Sequence, residues 1–263
     1  MLTPNRRFAL ALEALAELKT EISTSPQTQP IPVAPTLREV LTEVGPLPRE
    51  ALFLGKADDG LPVLLNLHDP VPGPVLMSGD AGSGKTAFLQ TIAAAAVQAH
   101  TPKDLQFGVI TGHPDEWKTF AESPHCIGIF PVHHNSAQDF LLSLASWAHA
   151  NKSPRQSVLL LADDMTKLVS LDFTAQQNLH WLLARGPSRR VWPILTLKAE
   201  QYGEIIPWLS SFRTRIFGRI CDRSAADALA GDPKASLDQL QAGVQFSLRE
   251  GGHWLRFWTP SIS

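Results

Sequence analysis

The stretch PVLMSGDAGSGKTAFLQTIAAAAVQA, residues 74–99, holds the three parts whose order decides the fold. Residues 74–78 are a short apolar run. Residues 79–86, GDAGSGKT, fit the pattern Gly-x-x-x-x-Gly-Lys-Thr, and residues 86–99 are rich in Ala and free of Pro and Gly. Strand, glycine loop and helix in that order are the context in which this pattern cradles a phosphate chain. The ligand dictates the residue types. Several anionic oxygens must be met by donors that approach closely without side chains in the way. Gly79, Gly82 and Gly84 let the backbone of Gly79, Asp80, Ala81, Gly82, Ser83, Gly84, Lys85, Thr86 and Ala87 curl its N–H groups inward, and the helix that follows adds its positive end. Lys85 is placed to reach the β and γ phosphates as a mobile cation, and Thr86 to put its hydroxyl on Mg²⁺. The expected ligands are ATP and Mg²⁺. A glycine-rich turn that matches by chance is the alternative, and both flanking elements count against it.

A nucleotide hydrolase also needs one carboxylate for the Mg²⁺ shell and commonly another to orient or deprotonate water. SVLLLADDM, residues 157–165, supplies both after an apolar strand. Asp163 is assigned to the metal and Asp164 to the attacking water. The competing expectation is a solvated Asp-Asp turn that caps the next helix.

Outward from these motifs, short apolar runs at 61–67, 105–110, 126–130, 191–197 and 213–220 alternate with helical patterns at 137–150, 174–185 and 224–229. Such alternation predicts an α/β fold with a mainly parallel sheet covered by helices on both faces. Residues 36–44 read as a short helix. Residues 244–248 and 253–258, around Gly251-Gly252, read as a closing hairpin. Apolar residues from Phe8 to Ile22 recur at helical spacing, so residues 1–22 are expected to carry an amphipathic helix. Residues 23–35, STSPQTQPIPVAP, read as a Pro-rich linker, and the ATPase domain is placed at 36–263.

Composition narrows the partners. The 263 residues carry 23 basic and 25 acidic side chains, a formal charge of −2, so no whole-protein field draws the chain to nucleic acid or anionic lipid. Cys126 and Cys221, the two cysteines, have no metal-ligand or disulfide spacing, which fits a reducing cytoplasm. The first 20 residues hold Glu13, Glu17 and Lys19 where a signal peptide needs an apolar stretch, and no run is long enough to span a bilayer. A cytoplasmic protein without a membrane span is expected. His113, His133 and His134 lack a third ligand at useful spacing, so metal binding by histidine is not expected. Trp147 and Trp181 lie beside leucines in helical patterns, as core residues do. Trp254 and Trp258 alternate along the last strand.

At these residues the chain resembles the FtsK/HerA group of RecA-like motor ATPases, and the likeness runs from about residue 52 to 258. LFLGKADDGLPVLLNLHDPVPGPVLMSGDAGSGKT resembles the segment that leads into that family's phosphate loop. TPKDLQFGVITG resembles its second core strand, and PILTLKAE the strand that ends in a sensor glutamine. SSFRTRIFGRICDRSAADALAG with LDQLQAGVQFSL resembles its closing section. The resemblance implies a RecA-like P-loop core, a homo-oligomeric hexameric ring, and DNA or a related polymer moved through its centre. It also implies that an arginine from a neighbouring protomer completes each site; Arg185, Arg189 and Arg190, between a helix and the next strand, are the candidates.

Three departures from the family pattern bear on activity. The water-activating position is Glu in the family and Asp164 here, one methylene shorter. Leu197 falls at the sensor glutamine. Thr111, Gly112, His113 and Pro114 stand in place of Asp-Pro-Lys. A nucleotide-binding scaffold that hydrolyses little is therefore a second reading, and a secretion-type ATPase acting on protein, compatible with the near-neutral charge, is a third. With the sequence stopping at Ser263, no winged-helix DNA-reading module is expected. The N-terminal helix on its linker is expected to dock a protein partner.

Overall fold

The computed structural model describes residues 35–151, 155–250 and 252–262. The helix expected within 1–22, and the linker except for Pro35, lie outside the described residues. Ten strands form one sheet: β1 Ala51–Ala57, β2 Pro62–Asn66, β3 Val75–Gly79, β4 Leu105–Thr111, β5 Cys126–Pro131, β6 Ser157–Asp163, β7 Val191–Lys198, β8 Thr214–Phe217, β9 Gln245–Glu250 and β10 His253–Trp258. Their order across the sheet is β2-β1-β10-β9-β8-β3-β7-β6-β4-β5.

The six strands from β8 to β5 are parallel. The predicted closing hairpin forms as β9 and β10, paired from His253–Glu250 to Trp258–Gln245, and extends the sheet antiparallel from β8. A second hairpin, β1 with β2, adds the outer edge. The parallel strands read as nearly unbroken apolar runs because both of their faces are covered: β3 is buried throughout, and β7 up to Lys198. Pro193 sits inside β7 beside Leu160, a position that costs a central strand one ladder donor.

Two apolar layers flank the sheet. One is built on α1 (Leu37–Val44), α2 (Lys85–Ala99), Trp117 and α3 (Lys118–Ala121). The other is built on α4 (Asn135–Ala150), α5 (Met165–Val169), α6 (Phe173–Arg185), the 3₁₀ segment Ala199–Ser211 and α7 (Arg223–Ala230). The four alanines Ala93–Ala96 are all buried in α2, and their small side chains let this helix lie close against the strands. Trp147 and Trp181 pack half-buried against the second layer, as expected. The fully buried indoles are Trp117 and Trp192.

Because the strands are parallel, the loops after β3, β4, β6 and β7 all leave from the same edge of the sheet. That edge is where an open α/β sheet presents a crevice to a ligand.

Candidate nucleotide site

The loop between β3 and α2 is held in shape by its own backbone and by the closing segment of the chain. Ser83 N–H donates to the Asp80 carbonyl at 3.1 Å, and Asp80 N–H donates to the Arg219 carbonyl at 2.9 Å. The Asp80 carboxylate accepts from Cys221 N–H at 2.8 Å. Asp80, a variable position of the motif, thus ties the loop to the strand end beyond β8. Gly84 has φ +92°, and a Cβ built there would fall 2.6 Å from the Gly243 carbonyl oxygen. Only glycine meets both demands. Gly84 is also the N-cap of α2 and offers no side-chain acceptor, so the first-turn N–H groups of α2 have no side-chain cap. Unsatisfied donors at a helix start, turned to a glycine-lined cavity, are what an anionic phosphate chain requires.

The Lys85 ammonium donates to the carbonyls of Gly79 at 2.9 Å and Asp80 at 2.6 Å. Burial holds its pKa below the ordinary 10.5, opposed by the nearby carboxylates of Asp163 and Asp80. A charge kept partly dry in this way acts more strongly on an incoming anion.

Asp163, the last residue of β6, reaches α2 across the sheet: Thr86 Oγ1 donates to its Oδ2 at 2.8 Å. Its other oxygen accepts from Thr196 Oγ1, also at 2.8 Å. That hydroxyl in turn accepts from Asp164 N–H at 2.9 Å. Thr196 lies on β7, the strand between β6 and β3, and it orients both aspartates at once. The sequence reading placed Leu197 at this strand's sensing position, but Leu197 is fully buried in the apolar layer while its neighbours Thr196 and Lys198 line the cavity.

Asp164 has φ +94°, a backbone region that costs a non-glycine residue of order 1–3 kcal/mol and recurs at functional sites. Its Oδ1 accepts from Thr166 N–H at 3.1 Å and Thr166 Oγ1 at 2.6 Å, so it caps α5. Asp163 joins the phosphate loop, whereas Asp164 caps the next helix and is only 9% exposed at the cavity wall.

A cavity of about 410 Å³ runs along these groups and is lined further by His113, Glu116 and Lys167. It fits Mg²⁺ in the chemistry of its donors, since the Thr86 hydroxyl and Asp163 carboxylate, already 2.8 Å apart, are the hard oxygens this ion prefers. Among the described residues no group of three or more His, Cys, Asp or Glu side chains is arranged to hold a metal by itself. An ion here would take its remaining ligands from phosphate and water, as Mg²⁺ commonly does.

The three arginines stand elsewhere. Arg185 ends α6, and Arg189 and Arg190 precede β7, so all three lie at the sheet edge opposite the phosphate loop. Arg185 is exposed. Arg190 is half-buried, and its guanidinium donates to the Leu67 carbonyl at 3.1 Å. None of these three arginines lines the cavity.

Residues 51–152 match the model of the FtsK/SpoIIIE family. The chain is similar to the cytoplasmic domain of the Type VII secretion ATPase EccC of Thermomonospora curvata, with a TM-score of 0.66 and 17% identity over 87% of this chain and 32% of that one. It is also similar to EssC (ATPases 2 and 3) from Geobacillus thermodenitrificans, with a TM-score of 0.71 and 14% identity over 89% of this chain and 48% of that one. A third likeness is to the pCW3 conjugation coupling protein TcpA in a monomer form with ATPγS, at a TM-score of 0.66 and 14% identity, covering 88% of this chain and 70% of that one. The chain thus spans a third to a half of the EccC and EssC structures. No curated protein matches the sequence. The family match covers residues 51–152 of the chain, and the fold is that of a RecA-like P-loop core. Among the described residues no helix is long and apolar enough to cross a membrane.

Proposed function

We propose that this FtsK/SpoIIIE-type ATPase domain binds ATP with Mg²⁺ in the cavity after β3, β6 and β7, hydrolyses it, and works as a ring that moves a polymer. The observation that carries the reading is the 2.8 Å bond from Thr86 to Asp163. It joins two motifs 77 residues apart in the chain at the place where a metal would bridge phosphate and protein.

In this reading the N–H groups from Gly79 to Ala87 hold the phosphates, and Lys85 exchanges its carbonyl partners for phosphate oxygens. Thr86 and Asp163 would hold Mg²⁺, which neutralises charge on the β and γ phosphates. Asp164 orients the attacking water. An arginine from a neighbouring protomer, with exposed Arg185 the best placed of the three, supplies positive charge in the transition state. DNA is the suggested polymer, in line with a relative named as a conjugation coupling protein; the relative named as a Type VII secretion ATPase supports a protein chain instead.

One observation favours a slower, scaffold-like variant. The Asp164 carboxylate is nearly buried and already accepts two bonds from Thr166, which leaves it less free to activate water. ATP turnover on particles sized by light scattering, with double-stranded DNA, single-stranded DNA and neither, separates the readings. Hydrolysis by an oligomer that rises with DNA and vanishes in Lys85→Ala is expected for the motor. Tight ATP uptake without turnover would leave the scaffold. No uptake by the wild type would overturn both.

A further inference from the structure

We infer that Lys167 meets the terminal phosphate from within the same protomer and gives this site its preference for a triphosphate over a diphosphate. This assignment rests on the nucleotide reading above. Lys167 stands in α5, three residues beyond Asp164, and lines the same cavity. It is half-buried, yet among the described residues its ammonium has neither a carboxylate within ion-pair distance nor a hydrogen-bond acceptor. Holding a flexible cation at a cavity wall without a partner costs side-chain entropy and some hydration. An anionic ligand would offset that cost.

Its location selects the end of the phosphate chain. The strand order β3-β7-β6-β4 sets the cavity walls in a row: the phosphate loop, then Thr196 and Lys198, then Asp163 and Asp164, then His113. Lys85 lies at the first wall, on the carbonyls of Gly79 and Asp80. Lys167 lies at the last, with Nζ over Gly112, where an added Cβ would fall only 2.5 Å away. A phosphate chain anchored on the loop, with its metal at Thr86 and Asp163, points its free end past Asp163 toward this wall. A diphosphate would end before reaching it.

The charge balance favours the same role. Three ammonium groups, Lys85, Lys167 and Lys198, face three carboxylates, Glu116, Asp163 and Asp164, around the cavity. A Mg²⁺–triphosphate complex still carries excess negative charge, which two aspartates beside the γ position would repel. Lys167 offsets that repulsion, and Gly112 leaves the room for its ammonium.

Calorimetry of the full chain in Mg²⁺, with ATP and separately with ADP, tests this on wild type, Lys167→Ala, Lys167→Gln, Lys167→Arg and Lys85→Ala. The Ala and Gln variants should keep ADP affinity within about twofold and lose about tenfold in ATP affinity, the size of one charge-assisted contact. Arg should restore part of the preference, and thermal melts identify any variant that fails to fold. An unchanged ratio of ATP to ADP affinity in folded Ala and Gln variants overturns the assignment, as does a wild type that binds both nucleotides equally. If Lys85→Ala loses both nucleotides while the Lys167 variants match wild type, only the role of Lys167 fails. If wild type takes up neither nucleotide, the nucleotide reading itself fails.

Discussion

Thr196→Val replaces the hydroxyl that joins the two aspartates by a methyl of similar size, so it probes the hydrogen bonds without opening a cavity. In the native protein Thr196 Oγ1 donates to Asp163 at 2.8 Å and accepts from the backbone N–H of Asp164 at 2.9 Å, and Thr196 itself is 1% exposed. A bond to a charged acceptor contributes about 1.5–3 kcal/mol, and a buried N–H left unpaired costs about 1–3 kcal/mol. The two losses overlap, because Asp163 retains Thr86 and the strand end can shift toward water. A destabilisation of about 2–4 kcal/mol is expected, on the order of 10 °C in melting temperature for a domain of this size. Urea denaturation gives the free energy, and calorimetry with Mg²⁺ and ATP gives the consequence for the ligand. Asp163 freed from Thr196 should hold its carboxylate less steadily against Thr86, lowering affinity about tenfold. Thr196→Ser keeps the hydroxyl and should stay close to wild type on both counts. A Val variant within about 0.5 kcal/mol of wild type, with unchanged ATP affinity, would refute the claim that this strand orients the site through Thr196.

Two more outcomes follow from the loop. In Gly84→Ala the new methyl meets the Gly243 backbone at 2.6 Å in a conformation with φ +92°, so stability should fall by about 2–4 kcal/mol and ATP affinity by more than tenfold. Gly82→Ala, also at positive φ (+73°) but with nothing within 4 Å, should cost only about 1 kcal/mol, and equal losses in the two variants by denaturation would contradict the contact argument. Burial lowers the pKa of Lys85, so between that lowered value and 10.5 the native protein binds fewer protons than the unfolded chain, and stability rises with pH across this window. Lys85→Met should lack that rise; denaturation curves at a series of alkaline pH values would show parallel profiles if the reasoning is wrong.

How much could be read before the chain was folded differs from residue to residue. Lys85 and Thr86 were legible because a phosphate loop is contiguous: its donors, glycines and cation are neighbours in the chain, and the demand of the ligand is written locally. Asp163 was legible from the apolar strand before it. Asp164 reads from the sequence as the group for the attacking water, with a helix cap as the alternative, and the cap is the bond it makes here. Thr196 was missed by one residue. Successive side chains of a strand point to opposite faces, so a shift of one position exchanges a cavity group for a core group, as with Leu197. Lys167 carried no signal because nothing in its neighbours tells which wall α5 will line.

By itself, then, the sequence determined the phosphate loop, the acidic strand end, the alternation that makes a covered parallel sheet and the closing hairpin. These are local patterns of periodicity and contiguity. Only the tertiary structure decided that β7 lies between β3 and β6, that Gly243 presses on Gly84, and that Lys85 and Lys167 line one cavity. Strand order and register arise from contacts between residues scores of positions apart, where many pairings bury similar apolar area and the packing of the whole sheet selects among them.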